Sequence, residues 1–100
     1  ELGMLDTKHA TQKDFVPYLE AAFDVVSVEP VLSLRLVEVK PLATGDRAGG
    51  AFSLLWQGPR DLQLAQGTYR LNHADLGPVD LFLVPVAQSD EGLQYEAIFG

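Results

Sequence analysis

Apolar and polar residues alternate along most of the chain from Phe23 to Phe99. Such an alternation is typical of strands with one buried face, because successive side chains of a strand point to opposite sides. It predicts about six short strands separated by turn residues. No helical segments lie between them to make parallel crossovers, so the sheet is predicted to be antiparallel. The predicted fold class is mainly β: a small antiparallel β barrel or sandwich of about six strands with one short N-terminal helix.

Two places break the alternation. Apolar residues occupy the even-numbered positions from Leu32 to Leu36 and the odd-numbered positions from Val37 onward. This change of face predicts a β-bulge. The run Leu81–Val86, LFLVPV, is apolar on both parities and predicts a central strand covered on both faces. Pro85 has no backbone N–H to pair with a neighbour, so it predicts a bulge or a strand end within this run.

The N-terminal part of the chain lacks the alternation. The segment Thr11–Asp14 has the spacing of a helix capping box, and apolar residues follow at helical spacing. Pro17 restricts this helix to two or three turns. Residues 1–10 are polar and unpatterned, so we predict a flexible arm at 1–10 and a single β-rich domain at 11–100. Met4 is the candidate natural start, which would make the three preceding residues non-native.

The chain is acidic, with a formal net charge of −7, and no Lys or Arg follows Arg70. Nucleic acids and anionic membrane surfaces require clustered cations, so neither is a predicted partner. The absence of cysteine excludes disulfides, thiol catalysis and Cys-based metal sites. The longest apolar run, Leu81–Ala87, is far shorter than the roughly 20 residues of a membrane span, and no signal peptide is visible, so we expect a cytoplasmic location.

The candidate chemistry lies at His73 and Asp75. A catalytic interpretation makes His73 a general base oriented by Asp75, but two residues this close across a tight turn reach that geometry only in an unusual conformation. A metal site needs three or four ligands, and only His9 could add a second imidazole. The segment Ala74–Gly77 has turn chemistry instead, since Asp opens turns and Gly tolerates a positive φ. We therefore predict a hairpin turn in which His73 bonds to nearby backbone, with no metal and no catalytic residue.

A ligand-binding interpretation involves three residues. Trp56, Tyr69 and His73 could line one mouth of a closed barrel and bind a small molecule there. Trp56 alternates with Leu54 and Phe52, however, so core packing is its default role. The sequence leaves both roles open.

Five stretches of the chain resemble a small bacterial family of unknown function whose members are single domains of about this length. They are DFVPYLEAAF, LVEVKPL, FSLLWQGP, QGTYRLNHADLGPVDLFLVPV and YEAIF, which together span Asp14 to Phe99. Members are often encoded beside phage-tail-collar or microcystin-dependent-type fibre proteins. The resemblance therefore implies an accessory or structural part of a phage-derived fibre or particle, and it implies no catalytic residues. The pair Ala21–Ala22 stands where this resemblance leads us to expect a glycine.

The leading hypothesis is a non-enzymatic protein–protein interaction domain in a phage-tail-like or fibre assembly, with a fibre or tail-collar protein as candidate partner and no cofactor. On this hypothesis the chain would be either cytoplasmic or part of a phage-like particle. Exposed strand edges are the expected docking surfaces, with Pro30, Pro41 and Pro85 as edge blockers. The alternatives are a small-ligand binding barrel and an enzyme that uses His73 and Asp75. The sequence leaves the oligomeric state open.

Overall fold

The computed structural model describes residues 5–43, 45 and 47–100. Six antiparallel strands form one sheet: β1 (Ala22–Val25), β2 (Leu32–Pro41), β3 (Phe52–Gln57), β4 (Gly67–His73), β5 (Gly77–Ser89) and β6 (Gly92–Phe99). Their order is β1-β2-β3-β6-β5-β4, and the pairing of β4 with β1 closes the sheet into a ring. The predicted mainly β, antiparallel fold of six strands is confirmed. Within the described residues, no helix has the length and apolar character that crossing a membrane requires.

The apolar side chains that alternate along the strands point inward and fill the interior of the ring. In β1, Phe23 and Val25 point inward and are fully buried, while their neighbours are exposed. The largest fully buried side chains come from all six strands and from the N-terminal helix: Phe15, Phe23, Val25, Leu34, Leu36, Phe52, Leu54, Trp56, Leu71, Val79, Leu83 and Tyr95. Burial of these side chains is the main stabilising contribution, at about 1.5–3 kcal/mol for each large apolar group.

Both predicted irregularities of the strands are confirmed. The register of β2 against β3 shifts between Leu36 and Glu38, where the apolar parity changes in the sequence. The register of β5 against β6 shifts between Pro85 and Ala87. An extra residue on one strand turns the following side chains to the other face, so each bulge explains the change of pattern beside it.

The prediction that Leu81–Val86 is covered on both faces is wrong. Leu81 and Leu83 point into the core, whereas Phe82 is 51% exposed on the outside of the ring. The strand carrying this run is covered on one face only, and its outer face is apolar without being buried. The expectation that strand edges form the docking surfaces stays a prediction; the closed ring gives each strand a neighbour on both sides, but β1 pairs with β4 only at Asp24–Asn72 and Val25–Leu71.

A short helix covers one end of the ring. Helix α1 (Gln12–Phe15) is one α-turn, and a 3₁₀ helix (Val16–Tyr18) that contains Pro17 continues it. The backbone N–H of Thr11 donates to the Asp14 carboxylate at 2.8 Å, which is one half of the predicted capping box. Phe15 places its ring 5.6 Å from Phe99, centroid to centroid, and so ties the helix to the core.

The N-terminal segment contacts the ring in the part that the structure describes. The backbone N–H of Leu5 donates to the carbonyl of Pro78 at 3.0 Å. The Arg47 guanidinium donates to the carbonyl oxygens of Thr7 and Ala10. Residues 1–4, including the proposed start at Met4, lie outside the described residues, and the flexibility of the 1–10 arm stays a prediction.

Glu20 adopts a left-handed backbone conformation, with φ 71, just before the Ala21–Ala22 pair. Left-handed backbone costs an L-residue other than glycine about 1–2 kcal/mol, so the glycine expected in this region would suit position 20. We predict that Glu20→Gly raises the free energy of unfolding by about 0.5–1 kcal/mol, measured by urea denaturation. The control is Glu20→Ala, which also removes the exposed Glu20–Arg35 ion pair but keeps the strain. Equal stability of the two variants would contradict the assignment of strain.

Candidate functional site

His73 lies at the last position of β4, where it pairs with Gly77, the first residue of β5. The residues between them form the turn of a hairpin, as predicted. The backbone N–H of Asp75 donates to Nδ1 of His73 at 3.0 Å, so the imidazole binds a neighbouring backbone group. This bond requires Nδ1 to be an acceptor, which places the proton of the neutral ring on Nε2.

The geometry of this turn differs from that of an oriented catalytic histidine. In such a site the orienting carboxylate accepts a proton from one ring nitrogen, while the other nitrogen faces the nucleophile. Here the Asp75 backbone, and not its carboxylate, occupies Nδ1 of His73. The ring also packs against Tyr18 and Phe23, with centroid distances of 4.7 and 5.0 Å. These contacts of His73 hold the turn and cover the core, and its use with Asp75 by an enzyme stays a prediction.

We predict that His73→Ala lowers the free energy of unfolding by about 1–2 kcal/mol, because it removes the hydrogen bond to Asp75 and two aromatic contacts. Thermal denaturation followed by circular dichroism measures this loss. Asp75→Ala is the matched control, since it keeps the backbone N–H and should change stability by less than about 0.5 kcal/mol. Unchanged stability of the His73 variant would contradict the structural role and return attention to an enzyme using this pair.

The three predicted ligand residues occupy different environments. Trp56 is fully buried, and its ring packs edge-on against Phe23 with a centroid distance of 4.9 Å. Phe23 lies between Trp56 and His73, so these two residues share one aromatic cluster. Tyr69 precedes His73 by four residues on β4, roughly 13 Å at the usual rise of a strand. Its hydroxyl donates to the carbonyl of Ala65 at 2.6 Å, and its ring lines a separate open cleft.

Core packing, the default role of Trp56, is confirmed by its burial. One polar atom in that core is unusual: the indole Nε1 of Trp56 has no hydrogen-bond partner among the described residues. Binding of a small molecule by Trp56, Tyr69 and His73 stays a prediction. Among the described residues, no three acidic or histidine side chains lie close enough to hold a metal ion. His9 bonds through Nδ1 to the Asp6 carboxylate at 2.6 Å, in the N-terminal segment.

An apolar surface that the sequence analysis missed lies on the outside of β5 and β6. Phe82 is 51% exposed and Ile98 is 64% exposed, and both line one shallow cleft of about 290 Å³. The pairing of β5 with β6 ends at Val84–Glu96, and Phe82 and Ile98 lie two residues past this end on their two strands, where they line the cleft. Ile98 in turn pairs with Ser53 on β3. The signal for this surface was present in LFLVPV, whose second apolar parity belongs to the outer face.

Two half-buried apolar residues, Val84 and Leu55, extend this surface along the next row of outward side chains. Val84 on β5 pairs with Glu96 on β6, and Glu96 pairs with Leu55 on β3. Leu55 pairs on its other side with Glu38 on β2. We call Phe82, Ile98, Val84 and Leu55 the outer apolar face.

Charged residues border the outer apolar face. Arg70 donates to both oxygens of Asp80, at 2.8 and 3.2 Å, and this bonding holds the pKa of the Asp80 carboxyl below its usual value. Glu38 and Glu96 form no ion pair with any described residue, although Lys40 lies two residues after Glu38 on β2. The face thus has an apolar centre with charges of both signs around it: Glu38, Glu96 and Lys40 on the side of β2 and β3, Arg47 in the cleft, and the neutralised Arg70–Asp80 pair on the other side.

Comparison with known proteins gives one match. A family model described as a domain of unknown function, DUF6916, matches residues 10–99. No curated protein and no solved structure matches the chain.

Proposed function

The chain belongs to the DUF6916 family of domains of unknown function, and we propose that it is a non-enzymatic protein–protein interaction domain. The observation that supports this proposal is the outer apolar face, where Phe82 and Ile98 are both more than half exposed and line one cleft. A contiguous exposed apolar patch with a polar rim is typical of a binding surface, since isolated exposed apolar residues are common but adjacent ones are costly in water.

The closed ring favours docking on a face over docking on an edge. Strand addition needs a length of unpaired backbone along an edge, and each strand of the ring has a neighbour on both sides over part of its length. A partner can still contact the side chains on the outside of β5 and β6. A partner that covers Phe82 and Ile98 would remove these two side chains from water. Burial of what these two side chains still expose contributes about 2–3 kcal/mol to an interface before the entropic cost of association.

The proposed setting is a phage-tail-like or fibre assembly. It rests on the resemblance to a family whose members are often encoded beside tail-collar and fibre proteins. In such an assembly the chain acts as an accessory or structural component, and its partner is a fibre or tail-collar protein. An acidic, cysteine-free domain with a covered core suits a role that depends on surface contacts alone.

Affinity capture of the tagged chain from the bacterium that encodes it tests this function. We expect fibre or tail-collar proteins to co-purify with the wild-type chain and to be lost with the double variant Phe82→Ser, Ile98→Ser. The control is Val16→Ser, Val31→Ser, which removes two other exposed apolar side chains, at 47% and 56% exposure, far from this face in sequence. Capture of the same proteins by both double variants would contradict the proposed surface.

A further inference from the structure

We infer that the outer apolar face pairs with the same face of a second copy of this chain, in a symmetric dimer in which Lys40 of each copy contacts Glu38 of the other. This inference rests on the proposed function, since it takes the face as an interaction surface, and it names the molecule that covers it. Three features carry it: the balance of charges around the face, the order of these charges along β2, and the positions of the apolar side chains under two-fold symmetry.

Charges of both signs surround the outer apolar face, and several of them are already bonded within the chain. Arg70 and Asp80 bond to each other, and the Arg47 guanidinium donates to backbone carbonyls. Lys40 and Glu38 are exposed and form no ion pair in the part of the chain that the structure describes. A partner with one sign of charge would attract one of these two side chains and repel the other. A second copy carries both signs.

Two adjacent rows of outward side chains cross the strands at this face, and each takes one residue from successive strands. The Lys40 row consists of Lys40, Ser53 and Ile98. The Glu38 row consists of Glu38, Leu55, Glu96 and Val84. Phe82 lies two residues from Val84 on β5, as Ile98 lies two residues from Glu96 on β6, so Phe82 belongs to the side of the Lys40 row.

A two-fold axis that runs across the strands, between the two rows, places the Lys40 row of one copy over the Glu38 row of the other. Because a symmetric contact is made twice, Lys40 meets Glu38 of the second copy once from each chain. Phe82 meets Val84 of the second copy in the same way. Opposite charges therefore meet at the β2 end of the interface, and apolar side chains meet at the β5 end.

The other axis that would bring the two faces together runs along the strands, and the charges disfavour it. It would place β2 of one copy over β5 of the other, so that Lys40 faces Phe82 and Glu38 faces Val84. Both charges would then lose water without gaining a partner, which is costly. The alternation of Lys40 and Glu38 along β2 thus selects the axis across the strands.

Two effects oppose the dimer and determine its expected strength. Each chain has a net charge of −7, so two copies repel each other at low salt. Glu96 would lie over Ile98 of the second copy, where it gains no ion pair. We therefore expect a weak dimer that moderate salt strengthens, because salt screens long-range repulsion more than it screens contacts removed from water.

Sedimentation velocity of the full chain over a range of concentrations tests the inference. We expect a monomer–dimer equilibrium that Ile98→Asp weakens by more than about tenfold, since the new carboxylate would face Glu96 of the second copy. The matched control is Val31→Asp, which changes the net charge equally at another exposed apolar side chain and should have an effect within about twofold. A wild-type chain that stays monomeric at roughly millimolar concentration would overturn the inference.

Charge reversal on β2 separates the proposed contact from general repulsion between acidic chains. General repulsion predicts that Glu38→Lys strengthens the dimer, because it lowers the net negative charge by two units. The proposed contact predicts that Glu38→Lys and Lys40→Glu each weaken it by about tenfold, because each puts like charges in contact twice. The double variant Glu38→Lys, Lys40→Glu keeps the wild-type net charge and should dimerise as the wild type does.

Failure of the double variant to recover the wild-type equilibrium, or a stronger dimer with Glu38→Lys alone, would overturn the inference. Both side chains are exposed, so the variants should fold, and melting curves followed by circular dichroism check this.

The remaining outcomes distinguish this inference from the proposed function. A dimer presents every other surface twice to a fibre, which raises avidity without a new contact. A monomeric wild-type chain that still loses its fibre or tail-collar protein with Phe82→Ser, Ile98→Ser would overturn the dimer and leave the function. A dimer that follows the Lys40–Glu38 exchange, with no fibre or tail-collar protein co-purifying, would support the dimer and overturn that function.

Discussion

Trp56→Ala is expected to lower the free energy of unfolding by about 3–5 kcal/mol, the usual cost of truncating a buried aromatic residue to alanine. Trp56 is fully buried against Phe23, and its strand neighbours on either side are Leu36 and Tyr95. These side chains come from different strands of a closed ring, so they cannot all move inward to fill the space that the indole leaves. Domains of this size have a total free energy of unfolding of about 5–15 kcal/mol, so the variant should be close to unfolding at physiological temperature.

Urea denaturation of three variants measures this effect and tests the ligand-barrel alternative. Trp56→Phe keeps an aromatic ring and removes the indole N–H, which lacks a partner among the described residues, so its loss should be well below that of alanine. Ile98→Ala, on the outer apolar face, should change stability by less than about 0.5 kcal/mol. A ligand barrel would already contain space beside Trp56, and a loss below about 1 kcal/mol with Trp56→Ala would favour it.

The sequence predicted those features that depend on local pattern. The parity change near Val37 predicted the bulge between Leu36 and Glu38, because one inserted residue must exchange the two faces of a strand. The turn chemistry of Ala74–Gly77 predicted the hairpin for a similar reason. The role of the imidazole as an acceptor could not be predicted in this way, since it depends on the path of the backbone within the turn.

Features that depend on distant parts of the chain were missed or left open. Closure of the ring rests on the pairing of β1 with β4, where Val25 pairs with Leu71, and these two strands are far apart in sequence. The pattern of LFLVPV shows that both faces of β5 are apolar but does not show what covers them. Such a pattern is typical of a central strand with a second layer of protein over it, whereas the structure leaves Phe82 in solvent. The exposed outer face of β5 marks the candidate site, because an apolar surface that no part of the chain covers points to contact with another molecule.

Gly92→Ala is expected to lower the free energy of unfolding by about 3 kcal/mol, from backbone strain and a steric clash together. Gly92 begins β6 with φ 133, which side-chain-bearing residues rarely adopt. A Cβ at this position would lie 2.6 Å from the backbone oxygens of Gly58 and Pro59. The segment after β3 cannot easily retreat, because the backbone N–H of Gly58 donates to the carbonyl of Leu93 at 2.9 Å.

Gly50→Ala is the matched control for this prediction. Gly50 also has a positive φ, 93, but a Cβ there would meet nothing within 4 Å. Its variant therefore measures the strain alone, about 1 kcal/mol, and the additional loss in Gly92→Ala measures the clash. At about 4–8 °C per kcal/mol for a domain of this size, the melting temperatures of the two variants should differ by roughly 10 °C. Equal losses would contradict the close packing of Gly58 and Pro59 on the β5–β6 turn, the contact that fixes the far end of the hairpin carrying Phe82 and Ile98.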